Sequence, residues 1–279
     1  MYIISVVLGE KIKAAVYSKD YKQTAASEAA YSCTCKESAL ADAAKLVKAV
    51  MADNGIKAED VEFIGAAIPE SYGCPCCAAS EIEKQTGIKT AAETVINAKA
   101  LGEAYLAGDK SSLITLKIDE TVESGIVIDK KIYAGFSHMG GRVAHMVIDF
   151  GGYDCTCGRK GCFEAYVSSA GVKKIAADNG VNAETIAELF AKDCSCANAA
   201  KTFYIEHLAN AITDIINLFQ PEELVLEGAF TKVGDPIMKP MMEIVLRDQY
   251  TRHSPNKCNV RFANTEADTA LMGAALIIR

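Results

Sequence analysis

His145 is followed, after nine intervening residues, by the run Cys155-Thr156-Cys157-Gly158-Arg159-Lys160-Gly161-Cys162-Phe163-Glu164. Three thiols and one imidazole are a ligand set that closes a tetrahedral zinc site, and the two glycines suit a tight knuckle that folds the thiolates round one point. With all four positions filled by protein, no place is left for water, so such a zinc is structural rather than hydrolytic. The competing reading is a set of small buried hydrophobes in a cysteine-rich chain. Three further clusters, Cys33-x-Cys35, Cys74-x-Cys76-Cys77 and Cys194-x-Cys196, offer soft thiolates to zinc or cuprous copper. Two of these pairs could meet as a four-thiolate site, or all could be plain reduced cysteines. The acidic set Asp119, Glu120 and Glu123 is read either as a divalent-cation site or as a solvated loop.

These residues must be positioned by a sizeable core. At 279 residues and 50% apolar, the chain can bury one, either as two domains or as one large α/β unit. Thirty-six acidic residues against 29 basic ones give a net charge of −7, so the basic field that nucleic-acid binding uses is missing. Met1 to Ala15 carries Glu10, Lys11 and Lys13 where a signal peptide needs an apolar block, and no apolar run is long enough to span a membrane. The expectation is a cytoplasmic protein, with no nucleic-acid or membrane partner. Its eleven cysteines are then expected as metal ligands or free thiols, because a reducing compartment does not sustain a disulfide framework.

Periodicity predicts strands over Tyr2–Leu8, Ile12–Tyr17 and Thr24–Ser32, a helix over Ser38–Asn54, and a buried strand over Val61–Ile68. A helix over Ala78–Thr86, a strand over Ile88–Ala92 and a helix over Asn97–Ala107 follow, the two helices stopped by Gly87 and Gly108. A second block opens with strands over Leu113–Ile118, Ser124–Ile128 and Lys131–Ala134, with Asp129-Lys130 as a hairpin turn. Beyond the knuckle come helices over Ser169–Asp178, Ala183–Ala191 and Ala197–Phe219, the last broken by Pro221. Strand Leu224–Glu227, helix Pro236–Tyr250, strand Asn259–Ala263 and helix Glu266–Ile278 close the chain. Alternating strands and helices after an opening meander point to mixed sheets covered by helices, an α/β architecture. The boundary is placed near Gly108, giving domains 1–108 and 109–264, the second carrying the knuckle 142–166. The closing helix, 265–279, is expected to pack back on the first domain.

The pattern of His145 with Cys155-x-Cys157-Gly158-x-x-Gly161-Cys162-x-Glu164 resembles the zinc signature of the ROK family of bacterial sugar kinases and related repressors. Asn97-Ala98-Lys99-Ala100-Leu101-Gly102-Glu103, Gly125-Ile126-Val127, Leu224-Val225-Leu226 and Ala270-Leu271-Met272-Gly273-Ala274-Ala275 extend the resemblance over nearly the whole chain. It implies an actin-like, ribonuclease-H-like pair of domains with ATP, magnesium and a sugar in the cleft between them, and a homodimer. It prefers His145 over His138 as the zinc ligand, and it implies His145 and Glu164 as sugar contacts; Glu164 is equally read as a charge at a helix start. The chain opens at the first strand, so the repressors' added helix-turn-helix is not expected.

The departures from the family pattern bear on function. The family's opening phosphate loop, Asp-x-Gly-Gly-Thr, is matched by Val7-Leu8-Gly9-Glu10-Lys11, and its second glycine-rich loop by Lys117 to Gly125, with three carboxylates where backbone amides would face phosphate. The adenosine-side glycine run corresponds to Leu226-Glu227-Gly228-Ala229-Phe230, with a single glycine. The Asn-Asp pair that holds the sugar and takes its proton falls on Thr94 and Val95, and a valine accepts no proton. Arg142 stands where the family has a glutamate. The loop after Pro69 carries Cys74-Pro75-Cys76-Cys77. The leading expectation is a catalytically impaired protein, a pseudokinase on a zinc-stabilised scaffold, kept for binding or assembly. A second reading is an active ATP-dependent hexose kinase with divergent motifs, with Glu93 the nearest candidate base, and a third is a thiol-rich metal-binding protein.

Overall fold

The computed structural model describes residues 1–33 and 35–279. In chain order the elements are β1 (Tyr2–Leu8), β2 (Ile12–Ser18), β3 (Gln23–Ala29), α1 (Lys36–Asp53), β4 (Val61–Ile68), α2 (Pro75–Thr86), β5 (Thr90–Thr94) and α3 (Val95–Leu106). They continue with β6 (Leu113–Ile118), β7 (Val122–Ile128), β8 (Lys131–Ile132), α4 (Glu164–Val167), α5 (Ser169–Asp178), α6 (Ile186–Ala191) and α7 (Ser195–Phe219). Last come β9 (Glu223–Gly228), α8 (Asp235–Asp248), β10 (Asn259–Phe262) and α9 (Thr269–Ala275). The strands form two five-stranded sheets, ordered β3-β2-β1-β4-β5 and β10-β9-β6-β7-β8. The chain divides into one compact unit of residues 1–113, 125–140 and 264–279, and a second of residues 114–124 and 141–263.

In the first sheet, β1 pairs antiparallel with β2 and parallel with β4, so a meander continues into a parallel half. All of β1 after Tyr2 is buried, because alternate residues feed two different layers. Ile4, Val6 and Leu8 join Ile64 and Ile68 under Leu40, Val47 and Ile82 of α1 and α2. Ile3 and Val7 join Ala15 and Phe63 under Ala98, Leu271 and Ala274 of α3 and α9. On that second face, α3 and α9 approach backbone to backbone. A Cβ on Gly102 would lie 1.9 Å from the carbonyl oxygen of Thr269, and one on Gly273 would lie 1.6 Å from that of Ala98. Thr94 caps α3 by accepting from the Asn97 amide, and Asp268 caps α9 by accepting from Leu271.

In the second sheet, β10 runs parallel to β9. The β7–β8 hairpin turns on Asp129 and Lys130, both at positive φ, +51° and +62°, as a two-residue primed turn demands. Helix α7 buries Tyr204, Leu208, Ala211, Ile212 and Ile215 along one stripe and stops at Gln220, in the left-handed region just before Pro221. Among the described residues, no helix is long and apolar enough to cross a membrane.

Several local expectations need correcting: β3 ends at Ala29 rather than Ser32, β5 spans Thr90–Thr94 rather than Ile88–Ala92, and α6 starts at Ile186 rather than Ala183, because Thr185 takes the cap. Helix α9 starts at Thr269 rather than Glu266, because Asp268 takes the cap, and it ends at Ala275. Helix α2 starts at Pro75 rather than Ala78, since proline is pre-set for a first helical turn, so the cysteines lie at a helix start and not in a loop. Cys74 and Cys76 form a disulfide where metal ligands or free thiols were expected; the cap and second helical positions bring their Cα atoms to 5.5 Å, within a disulfide's reach.

Candidate functional site

Between β8 and α4 the chain has little regular structure, and a web of backbone hydrogen bonds shapes it into the knuckle. A turn of 3-10 helix, Val143–His145, delivers His145. Two isolated bridges, Val147 with Cys162 and Asp154 with Lys160, fold the strand-like segments back. The Cys155 amide donates to Arg159, Gly158 to Cys155 and Gly161 to Tyr153, at 2.9, 3.0 and 2.8 Å. Gly158 and Gly161 take φ of +85° and +73°, a conformation that favours glycine.

The result brings all four sequence-predicted ligands together. One donor atom each from His145, Cys155, Cys157 and Cys162 lies within 4.8 Å of the others. The Cys157 and Cys162 sulfurs are 3.7 Å apart, and His145 Nδ1 is 3.6 Å from the Cys155 sulfur. Tetrahedral zinc, with bonds of about 2.3 Å to sulfur and about 2.0 Å to nitrogen, sets sulfur–sulfur edges of about 3.8 Å and sulfur–nitrogen edges of about 3.5 Å. The donor set therefore fits zinc in number, type and spacing. Cys155 and Cys162 are buried and Cys157 is exposed. The Arg159 backbone amide holds the Cys157 thiol below its ordinary value, while burial pushes Cys162 up. His138 is not in this cluster; it sits 3.8 Å from Glu93.

Behind the knuckle stands an aromatic stack that the sequence did not reveal. Tyr166 of α4 stacks on Tyr153 at 4.7 Å and on His207 of α7 at 4.3 Å. Its hydroxyl donates to Asp149 at 2.6 Å and accepts from the Tyr153 amide at 3.0 Å. Burial, helped by the Asp149 carboxylate, pushes the Tyr166 phenol up to about 12, which keeps it a donor. His207 is half-buried. Glu164, buried at the start of α4, accepts from the Val122 amide at 3.0 Å and from the Thr156 hydroxyl at 3.3 Å. Both of its oxygens thus tie the knuckle to the β6–β7 turn.

The positions matched to the second and third phosphate-side segments make contacts within the chain, whereas the turn in the first is exposed. Glu10 is exposed in the β1–β2 turn, beside Lys11, which pairs with Glu28 at 2.5 Å. In the β6–β7 turn, Asp119 Oδ1 accepts from the Ala229 amide at 2.8 Å, and the Asp119 carbonyl accepts from Ser169 at 2.9 Å. Glu123 pairs with Lys117 at 2.8 Å. Gly228 adopts φ +123°, pressed against the Ile118 carbonyl, and Phe230 behind it is buried. At the start of α3, the Thr94 hydroxyl is used as a helix cap, and Val95 packs beside Ala98 and Leu271. Glu93, one residue earlier at the carboxyl end of β5, is buried and accepts from Asn97 Nδ2 at 3.1 Å.

Comparison with known proteins agrees with the family resemblance. The ROK family matches residues 76–279. The chain is 30% identical over 183 residues to a glucokinase of Halalkalibacterium halodurans, covering 58% of this chain and 56% of that protein. It is 27% identical over 183 residues to the xylose repressor of Bacillus subtilis, covering 62% and 46%. The chain thus spans about half the length of these relatives. A ROK hexokinase from Thermus thermophilus superposes with a TM-score of 0.84 at 21% identity, covering 99% of this chain and 97% of that one. A ROK glucokinase from Streptomyces griseus, solved with glucose and AMPPNP, superposes with a TM-score of 0.67 at 20% identity over 99% of both chains. The two-sheet α/β architecture is therefore the actin-like fold of the ROK sugar kinases, and by sequence and fold the chain belongs to the ROK family.

Proposed function

We propose that this chain is a ROK sugar-kinase-like protein that does not transfer phosphate and serves, as a homodimer, as a zinc-stabilised binding or assembly protein. The observation that carries this reading is the hydrogen bond from the Ala229 amide to the Asp119 carboxylate, which joins the β6–β7 turn to the end of β9. These are two of the segments that the family uses to cradle a nucleotide. Here a carboxylate of the chain itself takes an amide, and an incoming phosphate would meet that negative charge instead of a donor. Thr94 and Val95 support the same reading, because neither can serve as the proton acceptor that a sugar hydroxyl needs.

His145, Cys155, Cys157 and Cys162 would hold zinc. The ion supplies a covalent-like cross-link and, with four protein ligands, no open position for hydrolytic chemistry. Because its Nδ1 is turned toward the thiolates, His145 keeps Nε2 for a sugar hydroxyl, and a small sugar is the ligand class proposed for the site. Glu164 would have to share oxygens that Val122 and Thr156 already use.

A second reading, an active hexose kinase, is favoured by one observation. Glu93 is a buried carboxylate whose neighbours are the Asn97 amide and the His138 ring, and it lies at the carboxyl end of a parallel strand, where open α/β sheets place ligands. Purified protein incubated with magnesium-ATP and a panel of hexoses and N-acetylhexosamines, with ADP release followed by a coupled assay, separates the two. The proposal expects release at the no-protein background for every sugar. Sugar-dependent release that disappears in Glu93→Gln would establish the kinase instead.

A further inference from the structure

Among the described residues, one group of side chains outside the knuckle has the makings of a metal site. The sulfurs of Cys74, Cys76 and Cys77 lie within 4.8 Å of one another, and all three residues are exposed. Cys74 is the cap of α2, Pro75 its first residue, and Cys76 and Cys77 complete the first turn. The positive end of the α2 dipole lies at that turn and favours thiolates nearby. The turn is also held in place. Lys36 Nζ, at the start of α1, donates to the Tyr72 carbonyl, and the Cys77 amide donates to the Cys74 carbonyl at 3.2 Å.

The donor set differs from that of the knuckle in a way that changes the ion it suits. The knuckle offers three sulfurs and a nitrogen, four ligands for tetrahedral zinc. The start of α2 offers three sulfurs and no imidazole, and a cluster of thiolates alone selects soft cations. Cys194 and Cys196, 3.2 Å apart at the start of α7, offer only two sulfurs and make a natural comparison.

We propose that the reduced start of α2 is a second metal site, in which Cys74, Cys76 and Cys77 bind one cuprous ion through three thiolates. Binding forms three copper–sulfur bonds and releases the thiol protons to solvent. The Cys74–Cys76 disulfide is the closed state of the same site, since it removes two of the three ligands. A dithiol reductant opens it: the S–S bond takes two electrons and two protons, and the reductant leaves as its own disulfide. The site stands independently of whether the chain is a kinase.

The test is an anaerobic titration of the reduced, zinc-loaded chain with Cu(I) against a chromogenic Cu(I) chelator, with copper and zinc counted per chain. The expected result is one tightly held copper with zinc retained. Cys77→Ser, which leaves Cys74 and Cys76 able to form their disulfide, is expected to weaken binding at least tenfold, and Cys194→Ser to leave it unchanged. Protein oxidised at Cys74–Cys76 is expected to hold none. Melting curves establish that these exposed-site variants are folded. Copper held equally by wild type and Cys77→Ser, copper lost in Cys194→Ser, or zinc released one for one as copper enters would each overturn the site.

Discussion

Gly161 shows how much of the knuckle depends on single residues. A Cβ at this position would lie 1.6 Å from the Asp149 carbonyl oxygen, and its φ of +73° would strain any other residue. Gly161→Ala is expected to cost more than about 1 kcal/mol and to lower zinc retention; an unchanged denaturant midpoint together with full zinc would contradict this. Two acids in the first unit are expected to contribute to its acid sensitivity. Hydrogen bonds from the Ser32 side chain and backbone, then from Lys45, hold Asp42 down at about 2, and hydrogen bonds from Arg279 and Lys130 do the same for Asp109. A depressed carboxylate stabilises the fold above its unfolded value and loses that contribution as pH falls through the folded one. The melting temperature should therefore fall between about pH 4 and about pH 2, and fall less steeply in an Asp42→Asn, Asp109→Asn double variant. Equal slopes would show that other groups dominate.

At the scale of the site, the sequence was most legible where chemistry is local. The three cysteines and two glycines lie within a few residues, so their spacing alone specifies a knuckle. The pairing of His138 with Glu93 and the stacking of His207 on Tyr166 join distant parts of the chain, and no periodicity reports such contacts.

The packing of α3 on α9 carries the prediction that belongs to elements. Gly102 and Gly273 let the two helices meet at backbone distance, and α9 also supports β1 and β4. Gly273→Ala would push its methyl into the Ala98 carbonyl, so a loss of roughly 1 to 3 kcal/mol is expected, the usual cost of overpacking. Denaturant unfolding measures it, and a change smaller than experimental error would mean that the helices part without cost. Elements with continuous apolar runs, such as β1, β4 and β6, or with a clear helical spacing, such as α5, lie where the sequence pattern places them. Boundaries moved where a single side chain decides them: Asp268 delays α9, and Pro75 advances α2. The short α4 carries too few residues to show a period.

For the whole molecule, the proposed zinc and the nucleotide of the family's kinases are the two ligands to test. A structural zinc adds its binding free energy to folding, so Cys157→Ser is expected to lower the melting temperature and reduce zinc from one per chain to well below one. An unaltered melting temperature in a variant that has lost its metal would make the site incidental to stability. On the proposed reading, the lack of a proton acceptor alone would slow phosphoryl transfer roughly a hundred to ten thousand fold, and the Asp119–Ala229 contact in the segments matched to the family's phosphate loops predicts something stronger, no nucleotide affinity.

Calorimetric titration of magnesium-ATP into zinc-loaded protein, with and without a small-sugar panel, tests that prediction most directly. Absence of heat up to millimolar nucleotide is the expected result. Micromolar binding that strengthens with one sugar would contradict it and make Glu93 the first residue to replace.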